Sequence, residues 1–235
     1  MQRIVVLNPK GGSGKTTLAI NLASYYAMQG DKPTLMDYDP QASSANWVKK
    51  RVPSQLPIHL ICAYERDART TRAFQLRIPA ECGRVIVDTP AAIDAREMPE
   101  LTASADKILV PVLPSNIDIH ACSRCIESLL LVAKVRRDDN RLAIVANRVR
   151  RNTVIYQSLQ RFLTTLNIPI VATLRDSQNY IRGAELGLGL HEMRPFQVIE
   201  DLPQWDSLLR WLAEPSGEQA RVLAAASLAG VGTAG

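Results

Sequence analysis

The residues best able to do chemistry form one short run near the start of the chain, KGGSGKTT at residues 10–17. An apolar segment that favours a buried strand precedes the run, and a segment of helical character follows it. Glycines let the backbone wrap closely around an anion, and the following helix offers free N–H groups and the positive end of its dipole. Lys15 would reach the terminal phosphates of a nucleotide, and the Thr16 hydroxyl would ligate Mg²⁺. The run therefore predicts a phosphate-binding loop made by Gly11, Gly12, Ser13, Gly14, Lys15, Thr16 and Thr17.

Carboxylates that could serve the same nucleotide follow two other apolar segments. Asp37 and Asp39 belong to the run DYDPQ at residues 37–41, and Asp88 ends the apolar run VIVD at residues 85–88. One carboxylate can hold the metal with its water shell, and another can orient the attacking water. Structural roles remain open, because Asp caps helices, Pro begins them, and Asp88 can cap a strand end.

These residues lie between segments that alternate in type. Apolar runs typical of buried strands are separated by helical patterns, which predicts an α/β fold with a mostly parallel twisted sheet and helices on both faces. In such sheets ligands bind beyond the carboxyl ends of the strands, where the runs above fall. The predicted strands are Arg3–Leu7, Thr34–Asp37, Ile58–Cys62, Arg84–Asp88, Lys107–Val112, Leu142–Asn147 and Ile170–Leu174. The predicted helices are Thr16–Gln29, Ser43–Arg51, Arg66–Leu76, Met98–Ala103, Ile119–Arg136 and Thr153–Leu166.

Composition favours one globular domain. The chain has 235 residues, 46% of them hydrophobic, and a net charge of +5. We expect a domain at residues 1–213 and a flexible tail at residues 214–235, which drift into small residues. No apolar run approaches the roughly 18–20 residues that span a bilayer, and no signal peptide is expected. Cys122 and Cys125 have the spacing of a metal knuckle but lack a second close pair, so buried thiols are the default interpretation.

The motifs together resemble a known family. The plain phosphate-loop pattern G-x-x-x-x-G-K-S/T would require Gly at position 9, where this chain has Pro9, and Lys10 stands directly before the glycine pair. This arrangement resembles the deviant Walker A motif of the ParA/MinD ATPases. The run DYDPQ, the DTP continuation of Asp88 and the run DKILVPVLPSNID at residues 106–118 also match the family's pattern. The resemblance covers roughly residues 3–211 and implies a P-loop ATPase that binds ATP and Mg²⁺.

The resemblance also implies roles for single residues. Lys10 would reach across a dimer interface to the partner's nucleotide, and Asp39 would orient the attacking water. Asp88 would hold magnesium opposite Thr16, whereas Asp37 would be structural or lie in the outer shell of the metal. Asn147 would read the adenine edge through its amide, which both donates and accepts hydrogen bonds; a turn role for this Asn is the alternative.

The family's activity adds expectations about partners. We expect an ATP-bound homodimer that binds DNA without sequence preference, because phosphate contacts carry no sequence information. A ParB-like or cargo-adaptor protein would stimulate hydrolysis and so position a plasmid, a chromosome origin or an organelle such as a carboxysome. The protein would be cytoplasmic and nucleoid-associated, with no membrane partner. The candidate DNA contacts are Arg148, Arg150, Arg151, Arg175 and Arg182, each of which could instead be an ordinary surface charge.

Two alternatives use the same ATPase core. A MinD-like membrane positioner would need a basic amphipathic helix, whereas residues 219–235 contain one arginine followed by small apolar residues. A metal-transfer or biosynthetic ATPase would need a cysteine pair placed for a cluster, or a substrate pocket, and Cys122 and Cys125 keep that alternative open. Binding to lipid vesicles and an iron assay would discriminate between these classes and the DNA-binding one.

Overall fold

A computed structural model describes residues 1–65, 70–217 and 220. In that part of the chain a sheet of seven parallel strands has the order β3-β2-β4-β1-β5-β6-β7. The strands are β1 Gln2–Val6, β2 Thr34–Asp37, β3 His59–Cys62, β4 Arg84–Asp88, β5 Lys107–Val112, β6 Leu142–Val149 and β7 Ile170–Arg175. The helices are α1 Lys15–Met28, α2 Ser43–Lys50, α3 Arg72–Gln75, α4 Met98–Thr102, α5 Asn116–Leu131, α6 Val154–Thr165, α7 Gln178–Leu186, α8 Pro195–Val198 and α9 Asp206–Ala213. The predicted α/β class with a parallel sheet is confirmed.

The central strand β1 shows why the sheet is buried on both faces. Ile4 and Val6 belong to one apolar core, which also contains residues of α1 and α9. Val5 and Leu7 belong to a second core, which also contains residues of α4, α5 and α6. Successive side chains of a strand point to opposite faces, so a continuous apolar run is what two helical layers require.

Several boundaries differ from the predicted ones. β6 continues two residues past Asn147, through a register shift against β7 between Ala146 and Val149. α5 begins at Asn116, where the Ser115 hydroxyl accepts a hydrogen bond from the Asp118 N–H, and it ends at Leu131 rather than Arg136. In the described part of the predicted helix at 66–76, only Arg72–Gln75 is helical, and residues 66–69 lie outside the description.

The last part of the described chain closes the amino-terminal edge of the sheet. Helices α7, α8 and α9, which follow the last strand, were not predicted. Asn140 donates to Glu214 and to the carbonyl of Pro215, and the Gly217 N–H donates to the carbonyl of Asp139. The rest of the predicted tail, residues 218–219 and 221–235, lies outside the description. None of the described helices is both long and apolar enough to cross a bilayer.

Candidate nucleotide site

The loop between β1 and α1 has the backbone that its glycines predict. Gly12 and Gly14 have φ of 75° and 97°, a region that L side chains rarely adopt, and Gly14 caps α1. Asn8, which sequence reasoning missed, is fully buried beneath the loop. Its Nδ2 donates to the carbonyl of Pro111 at 2.6 Å, and its Oδ1 accepts from the Lys10 N–H at 2.9 Å. The loop is therefore fixed to β5 before any ligand binds.

Lys15 is a buried cation with little local compensation. Only 7% of the residue is exposed, and its Nζ donates to the carbonyl of Lys10 at 3.3 Å. Burial lowers the pKa of Lys15 from its ordinary value, and the nearby charges of Asp88 and Asp39 oppose that shift. A buried ammonium with one long hydrogen bond suits a ligand that brings its own negative charge.

Asp88 is a buried acidic group that likewise has few polar partners. Both carboxylate oxygens are buried without a hydrogen bond of ordinary geometry among the described residues. Burial and then the charge of Asp37 raise the pKa of Asp88 to about 7, against the lowering effect of Thr16, Lys15 and Ser44 close by. The hydroxyl of Ser44, another residue that the sequence did not single out, likewise has no hydrogen bond of ordinary geometry within the described chain. Carboxylate and hydroxyl oxygens of this kind fit Mg²⁺, so Asp88 and Thr16 are suited to hold it.

The two aspartates after β2 differ. Asp37 is fully buried, and it accepts from the Asp39 N–H and the Ala45 N–H, both at 2.9 Å. It therefore shapes the turn into α2, which supports the structural alternative; its metal role stays a prediction. Asp39 is half-buried and accepts from the Gln41 N–H at 2.9 Å. Its second oxygen leaves capacity for a water molecule, so Asp39 stays a prediction for the water-orienting group.

A cavity of about 360 Å³ lies beside the loop. Asn147 lines it, but the amide is engaged: Nδ2 donates to the carbonyl of Ser13 at 2.9 Å, and Oδ1 accepts from the Arg148 N–H at 2.9 Å. Asn147 therefore braces the phosphate loop, and its reading of an adenine edge stays a prediction. The remaining lining residues are Gly12, Gly14, Thr17, Lys50, Arg148, Asp176, Ser177, Tyr180, Ile181, Ala184 and Glu185.

Lys10 lies away from that cavity. It lines a separate cavity of about 320 Å³, together with Ile93, Arg124 and Cys125 among others, and the two cavities share no residue. The side chain of Lys15 thus bonds the backbone of Lys10, but Lys10 borders a different cavity from the one beside the loop. That separation is compatible with a contact to a second protomer, which stays a prediction.

The five candidate DNA arginines fall into two groups. Arg148 and Arg150 both pair with Asp176, with N···O distances of 3.2 and 2.8 Å. Arg175 pairs with Asp201, whose carboxylate is fully buried, and also with Glu200. The members without a carboxylate partner in the described residues are exposed: Arg151 and Arg182. The structure does not bring all five together as one unpaired basic surface.

The cysteine pair lies in the core. Cys122 and Cys125 are free, buried thiols on α5, as the default interpretation predicts. Burial and the nearby Asp118 raise the pKa of Cys122 to about 12, and burial likewise raises the pKa of Cys125. Metal ligation requires a thiolate, which these surroundings disfavour. Among the described residues there is no group of three or more Cys, His, Asp or Glu that could hold a metal ion.

The parallel sheet, the glycine loop at the end of β1 and the buried Lys15 and Asp88 define a P-loop nucleotide-binding protein. More narrowly, the chain belongs to the family described as CobQ/CobB/MinD/ParA nucleotide binding domain, which matches residues 4–190. The resemblance found in the motifs is thereby confirmed at the level of the family.

Proteins of known name extend the comparison. The chain is 29% identical over 175 residues to the maintenance of carboxysome distribution protein A of Halothiobacillus neapolitanus, covering 72% of this chain and 77% of that protein. It is 37% identical over 116 residues to the protein of the same name from Gloeobacter kilaueensis, covering 49% of this chain and 51% of that protein. The sporulation initiation inhibitor protein Soj of Bacillus subtilis is 25% identical over 168 residues, or 56% of this chain and 66% of Soj.

Solved structures share the fold. Apo McdA from Cyanothece superposes with a TM-score of 0.72 at 17% identity, covering 91% of this chain and 100% of that one. The MinD cell division protein of Aquifex aeolicus superposes with a TM-score of 0.68 at 20% identity, covering 91% and 98%. At these identities the likeness shows the fold alone.

Proposed function

We propose that this chain is an ATPase that dimerises on ATP, binds DNA without sequence preference and positions a cargo along the nucleoid. The observation that carries the proposal is the pair of buried ionisable groups beneath a glycine loop that also bears Lys10: Lys15, with one long hydrogen bond, and Asp88, with none of ordinary geometry in the described chain. The names of relatives, which include carboxysome-distribution and chromosome-partitioning proteins, support positioning as the use of the ATPase.

The residues divide the work of hydrolysis. Backbone N–H groups of residues 11–17 and the Lys15 ammonium bind the phosphates and neutralise their charge. Thr16 and Asp88 would hold Mg²⁺, which would supply neutralisation of the phosphate charge. Asp39 accepts a hydrogen bond from the attacking water and orients it toward the terminal phosphate. Asn147 fixes Ser13 and forms part of the wall against which the adenine lies.

Dimerisation makes DNA binding depend on the bound nucleotide. Lys10 of each protomer reaches the nucleotide of the other, so the closed dimer is stable while ATP is present. The DNA contacts then come from arginines that need not give up an internal ion pair, foremost Arg151 and Arg182. Arg148, Arg150 and Arg175 contribute less, since each must first leave a carboxylate.

A cargo adaptor completes the cycle. It stimulates hydrolysis, the dimer opens, and DNA is released; repetition on the nucleoid moves the cargo. The similarity to carboxysome-distribution proteins makes a protein organelle our first candidate for the cargo, with plasmids and chromosome origins next. The protein then works in the cytoplasm, on nucleoid DNA and without a membrane partner.

Binding to random-sequence duplex DNA tests the proposal. The protein is titrated without nucleotide, with ADP and with ATPγS, each with Mg²⁺ and at two salt concentrations. We expect salt-sensitive binding in the ATPγS state alone. Arg182→Glu should weaken that binding about tenfold or more, through lost attraction to the phosphates, without changing ATPγS affinity.

Arg210→Glu is the matched control, because Arg210 is a cation of α9 that donates to the Asp206 carbonyl and the Ser207 hydroxyl of its own helix. It reverses the same charge on a different helix and should leave DNA binding nearly intact. Wild-type protein that binds no DNA in any nucleotide state would refute the proposal and direct the next assays to lipid vesicles and iron.

A further inference from the structure

A buried ion pair lies behind the nucleotide site. Arg51, the residue that follows α2, donates from Nη2 to Glu192 Oε1 at 2.7 Å and from Nη1 to Oε2 at 2.8 Å. The two side chains are 6% and 9% exposed. A pair this deeply buried adds little net stability compared with apolar packing, so its presence calls for another explanation, such as fixing one arrangement of the chain.

The Glu192 carboxylate joins three segments rather than two. The Ser24 hydroxyl of α1 donates to Oε2 at 2.8 Å, and the Gly189 N–H donates to the same oxygen at 2.9 Å. Burial alone would raise the pKa of Glu192, but the hydrogen bonds from Arg51, Gly189 and Ser24 outweigh it and hold the pKa below its ordinary value. The carboxylate is therefore ionised and satisfied from α1, from α2 and from its own turn.

The segment that follows α7 is held along its whole length by the same two helices. A Cβ on Gly189 would lie 2.3 Å from Ser24 Oγ, so only glycine allows this approach to α1. Side chains of α1, of α2 and of Arg51 also bond the backbone of the segment: Asn21 Oδ1 accepts from the Leu190 N–H, and Trp47 Nε1 and Arg51 Nη1 donate to the carbonyls of Leu188 and Gly187. Lys50 Nζ donates to the carbonyl of Ala184, in α7 itself.

The opposite ends of these elements meet at the nucleotide site. α1 begins at Lys15 in the phosphate loop, and α2 begins next to Ser44, beside Asp88. α7 lines the cavity of about 360 Å³ with Tyr180 and other residues, and it also carries the exposed Arg182. One helix thus borders the nucleotide cavity and presents the candidate DNA contact.

We propose that Glu192 is a positioning residue that couples the nucleotide-bound state of α1 and α2 to the position of α7, and so to the DNA contact of Arg182. The inference rests on the proposed function and adds the route by which the nucleotide controls DNA binding. Elements joined by a fully satisfied buried charge move together, because separating them would leave that charge unpaired. A shift of α1 or α2 on ATP binding is then transmitted to α7 instead of being absorbed in the loop between them.

Hydrogen exchange, together with DNA affinity, tests the coupling. In wild-type protein, ATPγS with Mg²⁺ should slow amide exchange at residues 10–17 and also at residues 178–192. In Glu192→Gln, which keeps the shape but removes the charge, protection at residues 10–17 should remain and protection at 178–192 should be lost. The ratio of DNA affinities with ATPγS and with ADP should fall about tenfold.

Two further variants separate positioning from simple loss of stability. Arg141→Gln removes hydrogen bonds to the carbonyls of Thr102 and Ala105 at the other edge of the sheet. It should lower the Tm yet keep the exchange pattern and the affinity ratio of the wild type. Ser24→Ala removes the hydrogen bond from α1 to the Glu192 carboxylate and leaves the ion pair and the Asn21 contact. It therefore decides the question if Glu192→Gln does not fold, and the same changes in protection and affinity ratio are expected at smaller size.

The outcomes are distinct. Wild-type protection confined to residues 10–17, or a folded Glu192→Gln or Ser24→Ala with the wild-type exchange pattern, overturns the coupling. Wild-type protection that reaches 178–192 and is lost in the variants, in a protein that binds no DNA, supports the coupling while refuting the proposed DNA-binding function. If the variants lose the protection at 178–192 and their ratio of DNA affinities with ATPγS and ADP falls, the coupling and the proposed DNA-binding function are both supported.

Discussion

Two buried lysines lie at opposite edges of the same sheet. Lys15, at the carboxyl-terminal edge, has one hydrogen bond of 3.3 Å to the carbonyl of Lys10. Lys107, at the amino-terminal edge, is fully buried; its Nζ donates to the carbonyl of Asn140 at 2.9 Å and lies 4.1 Å from the centre of the Trp211 ring. Burial lowers the pKa of both lysines, that of Lys107 to about 8.

The polar groups near the two lysines are hydrogen-bonded to different degrees. At the amino-terminal edge, Asn140 Oδ1 accepts from Trp211 Nε1 at 2.6 Å, and Gln2 Nε2 donates to the carbonyl of Leu212 at 2.7 Å, so polar groups dock α9. At the carboxyl-terminal edge, Asp88 has no hydrogen bond of ordinary geometry within the described chain. A buried charge that the chain satisfies serves the fold, whereas one that it leaves unsatisfied is held for a ligand.

The comparison is tested most strongly at Lys15. Lys15→Met should weaken ATP binding about hundredfold, because a charge-assisted hydrogen bond and the charge itself are lost from the phosphates. The free energy of unfolding without nucleotide should stay the same or rise, because a poorly compensated buried charge is removed. Titration with a fluorescent ATP analogue and thermal melting measure the two effects. Tight ATP binding by the variant would refute the phosphate-loop assignment.

The converse change is Lys107→Met. The variant should lose about 2 kcal/mol of unfolding free energy, because a buried hydrogen bond and a cation–π contact disappear and the Asn140 carbonyl loses a donor. ATP affinity should be unchanged within the error of the same titration. Urea unfolding followed by Trp fluorescence gives the stability, and a drop in ATP affinity comparable to that of Lys15→Met would erase the contrast between the two edges.

The pH dependence of the free energy of unfolding gives a smaller test of the difference between the two lysines. The pKa of Lys107 is about 8 in the folded protein and returns to its ordinary value, 10.5, on unfolding. Between these values the unfolded state binds the extra proton, so this group's contribution to stability rises with pH. The stability difference between wild type and Lys107→Met should therefore widen by about 1 kcal/mol from pH 8 to pH 9. Urea unfolding at the two pH values measures it, and a constant or narrowing difference would show that the lysine titrates normally.

The sequence predicted those strands whose limits are set by their own residues and immediate neighbours. Strands β2, β4 and β5 begin and end where predicted, because each is a continuous apolar run with clear flanks. Asn8 and Ser44 were missed because their surroundings come from distant parts of the chain: Asn8 bonds Pro111, and Ser44 lies beside Asp88. The predicted helices all lie between predicted strands, whereas α7, α8 and α9 follow the last strand, where no alternation of strands and helices marks them.

The interpretation of charged and amide residues depended on partners that the sequence does not reveal. Asp37 and Asn147 were assigned to ligands by resemblance, yet their polar atoms bond the chain's own backbone. The arginines were chosen as a set, yet Asp176 and Asp201 divide them into paired and unpaired ones. Which acid lies next to which arginine is decided by how β6, β7 and the segment after α8 pack, and no local pattern encodes that packing.

The fork that Asp176 makes with Arg148 and Arg150 has a consequence for the ions around DNA. Each arginine that neutralises a phosphate releases about 0.9 of a condensed counterion, which sets the slope of log affinity against log salt. A dimer that used all five candidate arginines per protomer would have a slope near −9, whereas one that used Arg151 and Arg182 alone would have a slope of about −3.6. Arginines already paired with a carboxylate release few such ions, so the internal acids make the DNA affinity of this protein less sensitive to salt.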